Sequence, residues 1–295
     1  MSPLLKTLEK ASPCKVNLLL NILGKRPDGF HELETVLHPV RIFDQLSFQR
    51  GGAGIRLTCA QPGLPTDSRN LVYRAAALFF DAAKINEGVS IRLAKQIPLA
   101  AGLGGGSGNA AITLLSLNEL FGHPLAQADL ERLAASLGSD IPFFLQDKPA
   151  LGAGRGEKVQ PLDWFVALRS AAFLLVHPGF GIATAWAYKE LSRFPTALNG
   201  RPGRAQQLIS LLQGETLQSA GAQLYNSLEA PALEKYPLLW LFQEFLRGHG
   251  VAGTLMSGSG STVFALVQSL SAAEELAEQF KTRFGSTYWI RSVAI

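Results

Sequence analysis

From Lys15 to Phe48 the alternation of apolar and polar positions follows strand spacing. Lys15-Val16-Asn17-Leu18-Leu19-Leu20-Asn21-Ile22-Leu23 is a short apolar run closed by Gly24, and Pro27-Asp28-Gly29 behind it is a turn signal. Val36 to Phe48 reads as a second strand, with a bend expected at Asp44-Gln45. Asn70 then opens a helix whose apolar positions Leu71, Ala75, Leu78 and Phe79 recur at 3.6-residue spacing, and Ile91 to Leu93 is a strand. An alanine- and leucine-rich helix reaches about Phe121. Another, Ala126 to Leu137, ends at Gly138, a helix-stop signal. Ser139-Asp140 ahead of Ile141-Pro142 reads as an N-cap followed by a first-turn proline.

The character changes near residue 160. Phe173 to Val176 is a buried strand running into Pro178-Gly179-Phe180-Gly181, and Asn199-Gly200-Arg201-Pro202-Gly203 is an exposed loop. Helices at 204–220, 231–248 and 271–284 then alternate with strands near 252–256, 262–267 and 287–293. This order predicts an α+β fold in two domains, residues 1–160 and 161–295.

Composition narrows the function classes. The 295 residues carry 27 basic and 23 acidic side chains, a net +4 with no basic block, so a nucleic-acid partner is not expected. With 47% hydrophobic and only 17% charged residues the chain is not disordered. Cys14 and Cys59 cannot form a disulfide framework and suit a reducing, cytoplasmic compartment. Lys6, Glu9 and Lys10 interrupt Leu4, Leu5 and Leu8, so the start lacks an export-type apolar segment. No later stretch approaches the roughly 18 apolar residues of a membrane span.

The most unusual segment is Pro98-Leu99-Ala100-Ala101-Gly102-Leu103-Gly104-Gly105-Gly106-Ser107-Gly108-Asn109, set between a strand and a strongly helical run. A linker or a plain helix-start turn suits that setting poorly. Glycines let backbone N–H groups approach a ligand, and a helix start adds unpaired donors, so the segment reads as a phosphate cradle. It is not a Walker loop, because no lysine lies between Lys95 and Lys148. The dinucleotide and protein-kinase glycine patterns break at Ser107 and Asn109. Started at Gly106, the looser dinucleotide form ending in alanine is met at Gly108 and Ala111, but about a hundred residues from any first strand. The hydrolase elbow breaks at Asn109 as well, and the second glycine loop, Met256-Ser257-Gly258-Ser259-Gly260-Ser261, does not match it. His31-Glu32 lacks a second histidine at Thr35, and the five histidines are scattered, so no protein metal site is expected.

Pro98 to Asn109 resembles the ATP loop of the kinase superfamily named for galactokinase, homoserine kinase, mevalonate kinase and phosphomevalonate kinase. Lys15-Val16-Asn17 and Gly253-Thr254-Leu255-Met256-Ser257-Gly258-Ser259-Gly260 are similar to its other motifs. Pro27-Asp28-Gly29-Phe30-His31 and Gly138-Ser139-Asp140-Ile141-Pro142 further resemble the branch that phosphorylates a diphosphocytidyl ester of methylerythritol in the non-mevalonate isoprenoid route. The resemblance implies an N-terminal domain like ribosomal protein S5, a ferredoxin-like C-terminal α+β domain, and an active site in the cleft between them. It also implies transfer of the ATP γ-phosphoryl group to the substrate's 2-hydroxyl.

By that resemblance Asp140 orients or deprotonates the hydroxyl, and Lys15 holds Asp140 ionised and offsets phosphate charge. Asn17 hydrogen-bonds substrate, Phe30 and Tyr188 flank the cytosine ring, His31 reads the ring's polar edge, and Thr184 is a nearby contact. Asn70 and Lys95 stand near the adenosine, with Leu99 as an apolar wall and Gly102 to Gly108 as the cradle. Magnesium is expected with the nucleotide, and the chain is expected to act as a monomer or weak homodimer. Taken singly these residues read more plainly: Asp140 as a cap, Lys15 and Lys95 as solvated lysines at strand ends, Asn17 as a strand-edge polar residue, Phe30 and Tyr188 as core or rim aromatics, and Cys14 as packing. The family commonly carries Ser-Ser after the triple glycine, where this chain has Ser107-Gly108. A mevalonate- or homoserine-type kinase and a catalytically silent nucleotide-binding protein are the alternatives.

Overall fold

The computed structural model describes residues 7–214 and 216–295. The leucines at 4 and 5 and Lys6, part of the start read above, lie outside the described residues. β1 (Thr7–Lys25) and β2 (His31–Arg50) open the chain, joined by the expected turn at Pro27-Asp28, and β3 (Ile55–Cys59) follows. Next come α1 (Leu71–Ala83), β4 (Val89–Ala94), α2 (Gly105–Leu120), α3 (Gln127–Leu137) and a short 3-10 helix, Pro142–Leu145. The chain continues through β5 (Ala150–Gly154), β6 (Lys158–Pro161), β7 (Ala172–His177), α4 (Thr184–Glu190) and α5 (Pro195–Leu198). α6 (Arg204–Gly214), α7 (Leu217–Gly221), β8 (Tyr225–Asn226), α8 (Glu229–Lys235) and α9 (Pro237–Arg247) precede the closing run. That run is β9 (Gly253–Met256), β10 (Val263–Val267), α10 (Leu270–Phe284) and β11 (Trp289–Ala294).

Two compact units form. The first takes the described residues up to Cys14, Ile42–Ile97 and Gly104–Asp147; the second takes Lys15–Arg41, Pro98–Leu103 and Lys148–Ile295. The expected single cut near 160 does not describe this packing. β1 and β2 are each long enough to give residues to both units, and the glycine segment divides after Leu103.

In the first unit, β4 pairs antiparallel with Gln45–Arg50 of β2 and parallel with β3. Helices α1, α2 and α3 pack on one another. α1 buries Val72, Ala75, Ala76 and Phe79, a one-sided stripe, and starts where expected because the Asn70 Oδ1 accepts from Val72 N at 2.9 Å. α2 is buried around most of its circumference, which fits its alanine- and leucine-rich sequence.

Three expectations for this unit need correction. β2 runs unbroken through Asp44-Gln45: the Asp44 carboxylate is fully buried and fills its lone pairs with backbone and side-chain donors, so the aspartate forces no bend. Gly138 ends α3 with φ 171°, extended rather than left-handed. The next helix is a single 3-10 turn with Pro142 in first place as expected, but Ile141 holds the cap position and no side chain caps it.

In the second unit a four-stranded antiparallel sheet runs β11-β7-β10-β9, with Phe264 opposite both Leu175 and Leu255. Leu174, Val176, Val263, Ala265, Phe242 and Phe280 lie in its core, the last two rings edge-to-face at 4.8 Å. β5 pairs with β2 over Leu33–Leu37, and β8 adds to β1 in parallel at Leu19 and Leu20. The helices expected at 204–220 and 231–248 are each two: α6 and α7 are separate, and Pro237 starts α9 because proline cannot continue α8. Among the described residues no helix is long and apolar enough to cross a membrane.

Candidate active site

Within the second unit, three segments remote in sequence share one hydrogen-bonded cluster. Lys15 is only 2% exposed, which overturns its reading as a solvated strand-end lysine. Its Nζ donates to Asn17 Oδ1 at 2.5 Å and to Gly102 O at 2.8 Å. Asn17, equally buried and no strand-edge residue, donates from Nδ2 to Thr35 Oγ1 at 2.9 Å, and Thr35 donates to Leu19 O at 2.6 Å. The Ser257 hydroxyl donates to Gly102 O at 3.0 Å, and Thr262 N donates to Ala101 O at 3.1 Å. Asn226 Nδ2 ties down the C-terminal glycine loop through the carbonyls of Met256 and Gly258, both at 2.7 Å. Gly102 has φ +76°, and a Cβ there would stand 2.0 Å from Ser257 O, so only glycine fits. Thus the lysine strand, the start of the glycine segment (Pro98 to Leu103) and the second glycine loop hold one another in place.

Beside this cluster the second unit carries a group of aromatics. Phe30 follows the turn and is 50% exposed, a rim aromatic with an open face, while the Arg155 guanidinium stands 4.5 Å from its ring centre. His31 and Tyr188 have ring centres 5.1 Å apart, tilted by 37°. Burial, with Lys25 adding, lowers the His31 pKa below 6.5, so the ring is neutral at pH 7 and carries both a donor and an acceptor. Thr184 and Tyr188, four apart on α4, share a face, and Thr184 Oγ1 is 2.9 Å from Ser259 Oγ of the glycine loop. Leu99 is exposed and Ala100 holds a left-handed φ of +50°.

The first unit holds the rest of the glycine segment. Gly104, at φ +68°, caps α2 without a side chain, so the helix begins at Gly105, inside the triple glycine. Gly106 is exposed, Ser107 is half-buried and Gly108 is buried. A Cβ on Gly108 would stand 2.7 Å from Pro13 O and 2.9 Å from Ser12 Oγ, so the second serine common in the resemblance has no room here. Lys95 is not a solvated strand end: its side chain is 4% exposed and paired with Asp44, and it donates to Asn109 Oδ1 at 3.3 Å. Asn70 caps α1 and also donates to Pro65 O at 2.7 Å, leaving one amide N–H for other work. Asp140 stands in the turn between α3 and the 3-10 helix. Sequence reading missed Asp44, Thr35, Asn226 and Arg155; only Asp44, a carboxylate alone in an apolar strand, carried a signal.

Two family patterns match: GHMP kinases N terminal domain over residues 70–148 and GHMP kinases C terminal over 205–286. A 4-diphosphocytidyl-2-C-methyl-D-erythritol kinase of Synechococcus sp. (strain JA-3-3Ab) is 40% identical over 287 residues, 95% of this chain and 92% of that protein. The chain belongs to the GHMP kinase family. The crystal structure of a 4-(cytidine 5'-diphospho)-2C-methyl-D-erythritol kinase aligns with TM-score 0.77 and 34% identity, covering 98% of this chain and 100% of that one. A homoserine kinase from Cytophaga hutchinsonii aligns with TM-score 0.78 at 19% identity, over 100% of this chain and 96% of that one, which shows the shared fold. As a GHMP kinase the chain is a phosphotransferase with the two-domain fold of that family, mixed helix and sheet, and ATP is its co-substrate.

Proposed function

We propose that this GHMP kinase transfers the γ-phosphoryl group of ATP to the 2-hydroxyl of 4-diphosphocytidyl-2-C-methyl-D-erythritol, giving the 2-phosphate and ADP, in the non-mevalonate route to isopentenyl diphosphate. The observation that supports this most is in the second unit, where the buried Lys15–Asn17–Gly102–Ser257 cluster accompanies the His31–Tyr188 pair and the open ring of Phe30. Phosphoryl transfer needs positioning and charge compensation more than covalent help from the protein.

In this proposal Asp140 accepts a hydrogen bond from the 2-hydroxyl and takes its proton as the new P–O bond forms and the bond to the β,γ-bridging oxygen breaks. Lys15 offsets the negative charge gathering on the transferred group, and Asn17 and Thr184 orient the acceptor. Phe30 and Tyr188 stack on the cytosine, and neutral His31 reads its edge. Pro98 to Gly108 cradle the phosphates, Leu99 lines the adenosine, and Asn70 and Lys95 stand near it. Magnesium enters with ATP as the phosphates' counter-ion. The donor set suits that role, since Ser107 offers a hydroxyl and, among the described residues, no group of three His, Cys, Asp or Glu side chains forms a cage. Residues 1–160 serve the nucleotide and 161–295 complete the substrate side. The enzyme works in the cytoplasm as a monomer or weak homodimer.

A coupled ADP-release assay tests the proposal. Turnover is expected with the cytidyl substrate and not with mevalonate or homoserine; the reverse pattern, or ATP binding without ADP release, sinks it. Phe30→Ala is expected to raise KM for the cytidyl substrate by about tenfold or more with little change in kcat, since stacking is worth ~1–3 kcal/mol per base. An unchanged KM removes Phe30 from the base-binding role.

A further inference from the structure

We infer that Asp44 is a positioning residue that turns Lys95 from a counter-charge for phosphate into an oriented, charge-compensated hydrogen-bond donor for the adenosine of ATP. The inference rests on the reading of Lys95 as a nucleotide contact and adds the group that sets its character.

All the parts lie in the first unit. Asp44 is fully buried in β2, where an unpaired carboxylate would be very costly. One oxygen accepts from Gln96 N at 2.7 Å and Ile97 N at 2.9 Å, which fixes the chain just after β4. The other accepts from Lys95 Nζ and from Asn109 Nδ2, the latter at 3.0 Å. Asn109, on the second turn of α2, also donates to Ser12 Oγ at 3.0 Å, so its amide cannot turn freely. Lys95 Nζ lies 3.2 Å from the point a Cβ on Gly105 would occupy, so the ammonium rests against the first residue of the glycine helix.

An ammonium has three donors, and among the described residues this one has two partners, Asp44 and Asn109. The third N–H is left with its direction set, whereas a free lysine head rotates. An adjacent carboxylate cancels most of the field that a phosphate would feel from the lysine. A neutral acceptor on the base or ribose is therefore the partner this pair suits.

The experiment compares Asp44→Asn, Lys95→Met and the double variant by ATP binding, ATP and cytidyl-substrate KM, and inhibition by inorganic tripolyphosphate. Asp44→Asn keeps an oxygen for the two backbone N–H groups but loses the charge. It is expected to weaken ATP about tenfold, leaving the cytidyl-substrate KM and the tripolyphosphate inhibition constant unchanged. The opposite sign overturns the inference: if Lys95 serves phosphate, stripping its carboxylate makes ATP and tripolyphosphate bind as tightly as before or more tightly. The double variant leaves no buried charge unpaired and folds even if Asp44→Asn does not. It is expected to bind ATP as Lys95→Met does, and a further tenfold loss shows Asp44 acting other than through Lys95. Unchanged ATP affinity in Lys95→Met alone strikes the nucleotide reading of Lys95 itself, an outcome separate from the failure of Asp44.

Discussion

Asp140→Ala is expected to lower turnover by about a thousandfold while leaving ATP affinity within about twofold, the range a lost proton acceptor in the reacting position gives. The local structure separates this effect from misfolding. The turn holding Asp140 is made by backbone, with Ile141 N donating to Gly138 O at 3.3 Å, and Pro142 sets the first residue of the 3-10 helix. Phe143 and Phe144 anchor the following turn in the core with rings 5.0 Å apart. Since Ile141 and not Asp140 holds the cap position, an alanine at 140 removes no helix cap. Thermal unfolding of the variant is expected to match the parent closely. The decisive measurement is single-turnover phosphoryl transfer at saturating ATP, where Asp140→Asn distinguishes proton acceptance from positioning: an amide keeps the geometry and cannot take the proton. If alanine at 140 leaves most of the rate, the aspartate serves the turn and the acid–base assignment falls.

The strands around Lys15 and the helices at 71, 105 and 127 were legible because their apolar periodicity and glycine punctuation act locally. The splits of the later helices were less so: Pro237 sits in a run that stays apolar on both sides, and only the missing N–H makes it a boundary. The candidate residues were legible as motifs, but their environment was not. A lysine at the start of an apolar strand reads as solvated, and both Lys15 and Lys95 are buried, because the groups that satisfy them lie 87 and 51 positions away. Asp44 was misread for the same reason. A carboxylate in a strand is costly unless distant donors converge on it, and Lys95, Gln96, Ile97 and Asn109 do. The units differ from the expected cut because packing follows the two long strands, whose sequence shows no break where the chain passes from one unit to the other.

Lys15→Met is expected to cut turnover by about a hundredfold or more, the scale on which removing a preorganised charge-stabilising donor is felt. Its effect on stability is expected to be small, and that contrast is the test. Burying an ammonium costs several kcal/mol before its partners offset it, so an apolar side chain of similar length relieves part of that cost. The loss against it is the partner of Asn17 Oδ1, about 1–3 kcal/mol for a buried acceptor left unmade, while Gly102 O still accepts from Ser257 Oγ. A fold that needed only packing here would do as well with methionine; a buried cation kept at such cost points to chemistry. Lys15→Arg is not expected to restore the rate, because a Cβ position on Gly258 lies only 3.1 Å from Nζ and the planar guanidinium needs more room. Combining Lys15→Met with Asp140→Ala is expected to slow turnover little beyond the slower single variant, as for residues that serve one chemical step. If the two losses multiply in full, or if Lys15→Met turns over within about tenfold of the parent, the lysine belongs to the packing of the Gly102–Ser257 cluster and not to phosphoryl transfer.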